Sequence, residues 1–127
     1  MMGSSVRSNG PERRAAPRID ERIPLAISDA GAELATETKN LSAAGVYCTV
    51  DRFIAPMSKL QLRFELPERS RRVCVRCVGV VVRVEPVVDA ERGRYHIGVF
   101  FTDIAERDRA AITRFVRQRL STGSSTA

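Results

Sequence analysis

The sequence has no tryptophan, one histidine (His96), and only two lysines, Lys39 and Lys59, among its 21 basic residues. No apolar run approaches the roughly 20 residues that a membrane span needs. The opening stretch "MMGSSVRSNG" has no apolar core, so it does not read as a secretory signal, and a cytoplasmic location is expected. No Walker-type phosphate loop and no dinucleotide fingerprint occurs. The lone histidine has no recognisable nucleophile beside it, which favours a structural or exposed role, and the acids are scattered among arginines. Nothing in the sequence argues for an enzyme. The three cysteines, Cys48, Cys74 and Cys77, are an odd count and do not suggest a disulfide framework. In "CVRC", residues three apart on a strand point to opposite faces, so Cys74 and Cys77 should not converge on a metal. Core cysteines are the expected reading.

What remains is a basic chain of 127 residues with a net charge of +6, long enough for one domain with a real core. Its charge is carried by arginine, whose planar fork suits phosphate and guanine edges where lysine is a point charge. A basic balance suggests an anionic partner without naming it.

Apolar residues recur with period two. Ile23, Leu25 and Ile27 share a face, and "SDAG" then supplies a turn. A weaker strand runs from about Ala32 to Lys39, and "NLSAAG" breaks it. Val46, Cys48 and Val50 alternate next. In "KLQLRFEL", Leu60, Leu62, Phe64 and Leu66 face one way, and Pro67 ends the strand. A long strand from about Arg72 to Glu85 carries Gly79 near its middle, which predicts a bulge or sharp bend. Tyr95, Ile97, Val99 and Phe101 form the last strand face.

The period then changes. Ile104, Ile112, Phe115, Val116 and Leu120 fall near one helical face, and Asp103 with Glu106 resembles a capping box. The arginines of this segment, from Arg107 to Arg119, read as a solvated face. The expected organisation is a flexible tail over 1–11, an arginine leader over 12–21, strands over 22–102, a helix over 103–120 and a disordered tail over 121–127. The expected fold is mainly β: a six-stranded antiparallel β-barrel with a C-terminal α-helix.

Two short motifs carry functional information. "ERRAAPR" holds Arg13, Arg14 and Arg18, and Pro17 disfavours helix at Ala16, so the arginines lie on an extended leader. "NLSAAG" runs from Asn40 to Gly45. Asn40 has a donor and an acceptor suited to a base edge. The Ser42 hydroxyl can donate to a phosphate oxygen, and Gly45 can take a positive φ and let a ligand approach the backbone. Taken alone, the second motif is better explained as a plain turn between strands.

Together, an RxxxR leader followed by NxSxxG and an antiparallel barrel resembles the PilZ domain family, from about Glu12 to Leu120. The resemblance implies a bacterial receptor for cyclic di-GMP, with no catalytic step and no cofactor beyond that ligand. It assigns Arg14 and Arg18 to the arginine motif and Asn40, Ser42 and Gly45 to the second motif. Arg13, just before the first motif arginine, looks like the version that holds a stacked pair of ligands. An arginine fork fits guanine O6 and N7, fits phosphate, and stacks on a purine face. Binding would order the leader and alter the surface offered to a downstream protein. Two other readings are a PilZ-like module that docks proteins without a ligand and a small basic barrel that binds RNA or single-stranded DNA. The last needs exposed aromatics gathered with arginines, which the sequence does not offer, so nucleic acid is not the expected partner.

Overall fold

The computed structural model describes residues 16–88 and 93–126, with side chains up to residue 121. Among the described residues, seven strands precede one helix: β1 (Arg18–Ile19), β2 (Pro24–Asp29), β3 (Ala32–Ser42), β4 (Gly45–Val50), β5 (Lys59–Pro67), β6 (Arg72–Pro86), β7 (Tyr95–Ile104) and α1 (Glu106–Thr126). All pairings are antiparallel. The order is β1-β3-β2-β5-β6-β7-β4, and β3 also pairs with β4. That last pairing closes β2 to β7 into a six-stranded barrel, and the two-residue β1 is added at the rim.

Alternation explains the strands. In β5 every second residue is buried, from Leu60 to Leu66, and the intervening side chains are exposed. The buried set of β2, Leu25 and Ile27, meets it through the pairs Leu25–Phe64 and Ile27–Leu62. Between β2 and β3, Ala30 (φ 52°) and Gly31 (φ 92°) make a two-residue turn in the left-handed region, a geometry that matches the twist of a hairpin.

Closure needs strands that bend. β3 shifts register between Thr38 and Asn40, so that its first half pairs with β2 and its second with β4. β6 shifts between Val78 and Gly79 and again between Val81 and Arg83. The bend expected at Gly79 is therefore present. A Cβ there would lie 2.5 Å from Val99 Cγ1 and 2.9 Å from the Phe100 carbonyl, so a side chain has no room.

One end of the barrel is covered by α1, which contacts β1, β3 and β6 and buries Ala111, Ile112, Phe115 and Val116. Its boundaries differ from the expected 103–120. Ile104 is the last residue of β7, and Asp103 pairs with Val78, so Asp103 does not cap the helix. The helix starts instead from the Ala105 carbonyl, which accepts the Asp108 and Arg109 N–H groups at 2.9 and 3.0 Å. At the other end the helical backbone continues past Leu120 to Thr126, where a disordered tail was expected. Serine, threonine and glycine are weak helix formers but do not terminate a turn already nucleated by packed residues.

The cysteines separate as strand geometry demands. Cys48 and Cys77 are buried, and burial pushes both thiols up to about 12. Cys74 is exposed, so the core reading fails for this one residue. It sits on the outer face of β6, beside Arg72 and Arg76.

Candidate functional site

The turn between β3 and β4 is built by its own serine. Ser42 Oγ accepts the N–H groups of Ala44 at 3.0 Å and Gly45 at 3.2 Å, and it lies 3.5 Å from the Gly45 carbonyl. This is a side chain satisfying backbone donors of its own turn. The turn is also held from outside. The Ala44 carbonyl accepts the Phe101 N–H at 2.9 Å, and the Ala43 carbonyl accepts Arg109 Nη1 from the helix at 2.9 Å.

Gly45 is required by packing rather than by conformation. Its φ is not among the positive values, which belong to Ala30, Gly31 and Met57 among the described residues. A Cβ on Gly45 would lie 2.2 Å from the Val99 carbonyl oxygen. The expectation of a positive φ at Gly45 is thus corrected: what requires glycine here is the close approach of the β7 backbone.

Arg18 is placed by β1, which pairs Arg18 with Ser42 and Ile19 with Leu41. Buried Ile19 pins this short strand, and exposed Arg18 stands beside the turn. Among the described residues its guanidinium has no ion-pair or hydrogen-bonding partner. Asn40 follows the β3 bulge, which sets it opposite Tyr47 on β4. Arg18, Asn40, Ser42 and Gly45 therefore converge on one concavity of about 510 Å³. Arg13 and Arg14 lie outside the described residues.

The far wall lies outside both motifs. It consists of Tyr47, Val82, Arg83, Gly98 and Phe100. The second β6 bulge carries Val82 outward, 60 % exposed, and Phe100 on β7 is 52 % exposed, so the wall offers an apolar shelf. Beside it, Arg83 Nε is 3.7 Å from Glu85, whose carboxylate also accepts the Tyr47 hydroxyl at 3.2 Å. Partial burial, reinforced by Glu85, raises the Tyr47 pKa. His96 stands next in this row, with Nδ1 2.9 Å from Thr49 Oγ1 and its ring 5.7 Å from that of Tyr47. A signal for Phe100 existed: if Phe101 faces the core, its neighbour in "VFF" must face out. Val82 and Arg83 depend on where β6 bulges against β7, and alternation alone does not show that.

The site thus combines a free guanidinium, a carboxamide, a second guanidinium and an apolar shelf. That set can hold an anionic ligand with a planar ring system. Among the described residues, no helix is long and apolar enough to cross a membrane.

Comparison with solved structures finds the same fold. The Bacillus subtilis inhibitor of motility MotI/DgrA superimposes with a TM-score of 0.78 at 22% identity, covering 87% of this chain and 52% of that one. The PilZ domain of YcgR from Escherichia coli, solved with c-di-GMP, gives a TM-score of 0.64 at 11% identity, covering 90% and 98%. MrkH from K. pneumonia gives 0.70 at 13% identity, covering 87% and 51%. The chain spans about half the length of MotI/DgrA and MrkH. No match was found among curated proteins. The sequence matches the PilZ domain over residues 12–118, nearly the whole of the barrel and helix, and the chain belongs to the PilZ domain family.

Proposed function

We propose that this chain is a non-catalytic cytoplasmic receptor for cyclic di-GMP, working without a cofactor. The observation that carries the reading is the convergence of Arg18, Asn40, Ser42 and Gly45 on one concavity, with Arg18 paired directly to Ser42. Family membership and the c-di-GMP held by the YcgR domain support it.

In this reading Asn40 meets a guanine edge, and Arg18 takes phosphate or the guanine O6/N7 edge. Ser42 acts through the turn it builds, since its oxygen already serves two N–H groups. The shelf of Val82 and Phe100 receives a purine face. Arg14 closes over the ligand from the leader, and Arg13 serves a second, stacked ligand. Closure of the leader changes the surface beside β1 and α1 that a downstream protein meets.

Calorimetric titration of the full chain with cyclic di-GMP tests this, with Arg14→Ala, Arg18→Ala and Asn40→Ala alongside. The expected result is micromolar or tighter binding with two ligands per chain, weakened at least tenfold in each variant. No binding by the unaltered chain would refute the reading and leave a module that docks proteins without a ligand.

A further inference from the structure

A second charged feature lies on another wall of the barrel. Arg63 on β5 and Arg76 on β6 are direct cross-strand partners. Both are exposed, and both point to the outer face. Directly opposed residues have Cβ atoms about 5 Å apart, where like charges destabilise a sheet. Elsewhere on this face the charge is neutralised, since Arg72 lies 3.6 Å from Glu65. Among the described residues, neither Arg63 nor Arg76 has an ion-pair or hydrogen-bonding partner. Two unneutralised guanidiniums held side by side on rigid strands form a fixed double fork for oxyanions.

The surface around them is shaped. The same row continues to Ala26 on β2, which pairs with Arg63, and to Ala35 on β3. These methyl groups leave the row low beside the tall arginines. A concavity of about 540 Å³ lies on one side of the pair and one of about 420 Å³ on the other. Ala26, Arg63 and Arg76 line both, so the two form one groove. One end is acidic, with Glu33 and Asp103, and at the other Glu65 is paired with Arg72. Glu33 and Asp103 repel an anion from their end and favour its place at the arginine pair. No residue of this groove lines the concavity at Asn40.

We propose that this groove docks an extended acidic segment of a partner protein, with a carboxylate on the Arg63–Arg76 pair and its neighbouring side chains over Ala26 and Ala35. The groove is long and open, with alanines beside the arginines. That suits a chain of alternating side chains better than a free ion. A nucleic acid would need a continuous basic track, and Glu33 and Asp103 interrupt it at one end. The proposal goes beyond the cyclic di-GMP reading and does not depend on it.

The test uses the full chain and a fluorescently labelled hexapeptide with two central glutamates flanked by serine and alanine, followed by anisotropy at low salt. The expected result is binding by the unaltered chain and by Asn40→Ala, weakened at least tenfold in the Arg63→Gln/Arg76→Gln double variant. Glutamine keeps most of the aliphatic stem, so packing is retained. The melting temperature of Arg76→Gln should equal or exceed that of the unaltered chain, because repulsion is relieved. Undiminished binding by the double variant would overturn the proposal, as would no binding by the unaltered chain. Competition by inorganic phosphate at equal charge would reduce the site to a simple anion site. Tighter binding of a hexathymidylate would replace it with nucleic-acid recognition. A lower melting temperature for Arg76→Gln would show that the arginine serves the barrel itself.

Discussion

Gly45→Ala tests the claim that the motif glycine is held by packing against β7. The new Cβ would meet Val99 O at 2.2 Å, Val99 C at 3.2 Å and Phe100 Cα at 3.3 Å. An unstrained carbon–oxygen contact is about 3.3 Å, so the two backbones must separate by about 1 Å. Every clashing atom is main chain, so no rotamer change relieves the contact. Gly45 pairs with Phe100, and the neighbouring Phe101 N–H bonds the Ala44 carbonyl at 2.9 Å, so the shift strains this junction. Overpacking costs about 1–3 kcal/mol, and fixed backbone on both sides places this substitution near 3 kcal/mol. At about 4 °C per kcal/mol, the melting temperature should fall by about 12 °C.

The assay is thermal unfolding by circular dichroism, with ligand titration below the transition. Because the turn carries Ser42 and adjoins Asn40, cyclic di-GMP affinity should fall at least tenfold, about 1.4 kcal/mol. Gly31→Ala is the contrasting variant. Its site has φ +92° and nothing within 4 Å of a new Cβ. It should cost about 1 kcal/mol through backbone conformation alone and leave ligand affinity unchanged. A Gly45→Ala protein that melts within 2 °C of the unaltered chain would refute the packing argument.

Thr38→Val should destabilise the barrel by about 2 kcal/mol in denaturant titration. The buried Thr38 hydroxyl accepts the Ile23 N–H at 3.0 Å and donates to the Glu21 carbonyl, and valine leaves both unmet. Stability should decline between about pH 9 and pH 12. The Cys48 and Cys77 thiols, lifted from 9.0 to about 12, stay protonated when folded, whereas the unfolded chain releases those protons above pH 9. The fall should be up to about 1.4 kcal/mol per pH unit for each thiol, and chemical unfolding across that range should show it halved in Cys48→Ala. With a thiol reagent at neutral pH, exposed Cys74 should react at once, and Cys48 and Cys77 only on unfolding. Arg109→Ala removes the 2.9 Å bond from α1 to the Ala43 carbonyl and should weaken ligand binding about threefold, read by calorimetry.

The barrel was legible because each strand writes its buried face into alternate residues. Leu60 to Leu66 did so without interruption, and Gly79 marked its own bend. Family membership followed from two motifs in order, which alternation could not have supplied. The helix start was misplaced because Ile104 fits either period, and only the β6–β7 register assigns it to a strand. Cys74 lies outside the core because the outward phase of β6 overrides the burial that cysteine type suggests. The far wall of the site escaped notice for a different reason. Val82 and Arg83 reach the concavity through a bulge, and Tyr47 and Phe100 through pairings between distant segments. These are properties of register, and register is settled by the closed sheet rather than by any local stretch.

Amide chemical-shift mapping of the full chain during titration with cyclic di-GMP tests the central claim most directly. The account predicts saturable shifts at Asn40, Gly45, Gly98 and Phe100, with little change at Ala26, Arg63 and Arg76. Shifts centred on the Arg63–Arg76 wall, or no saturable shifts at all, would contradict the assignment of the site.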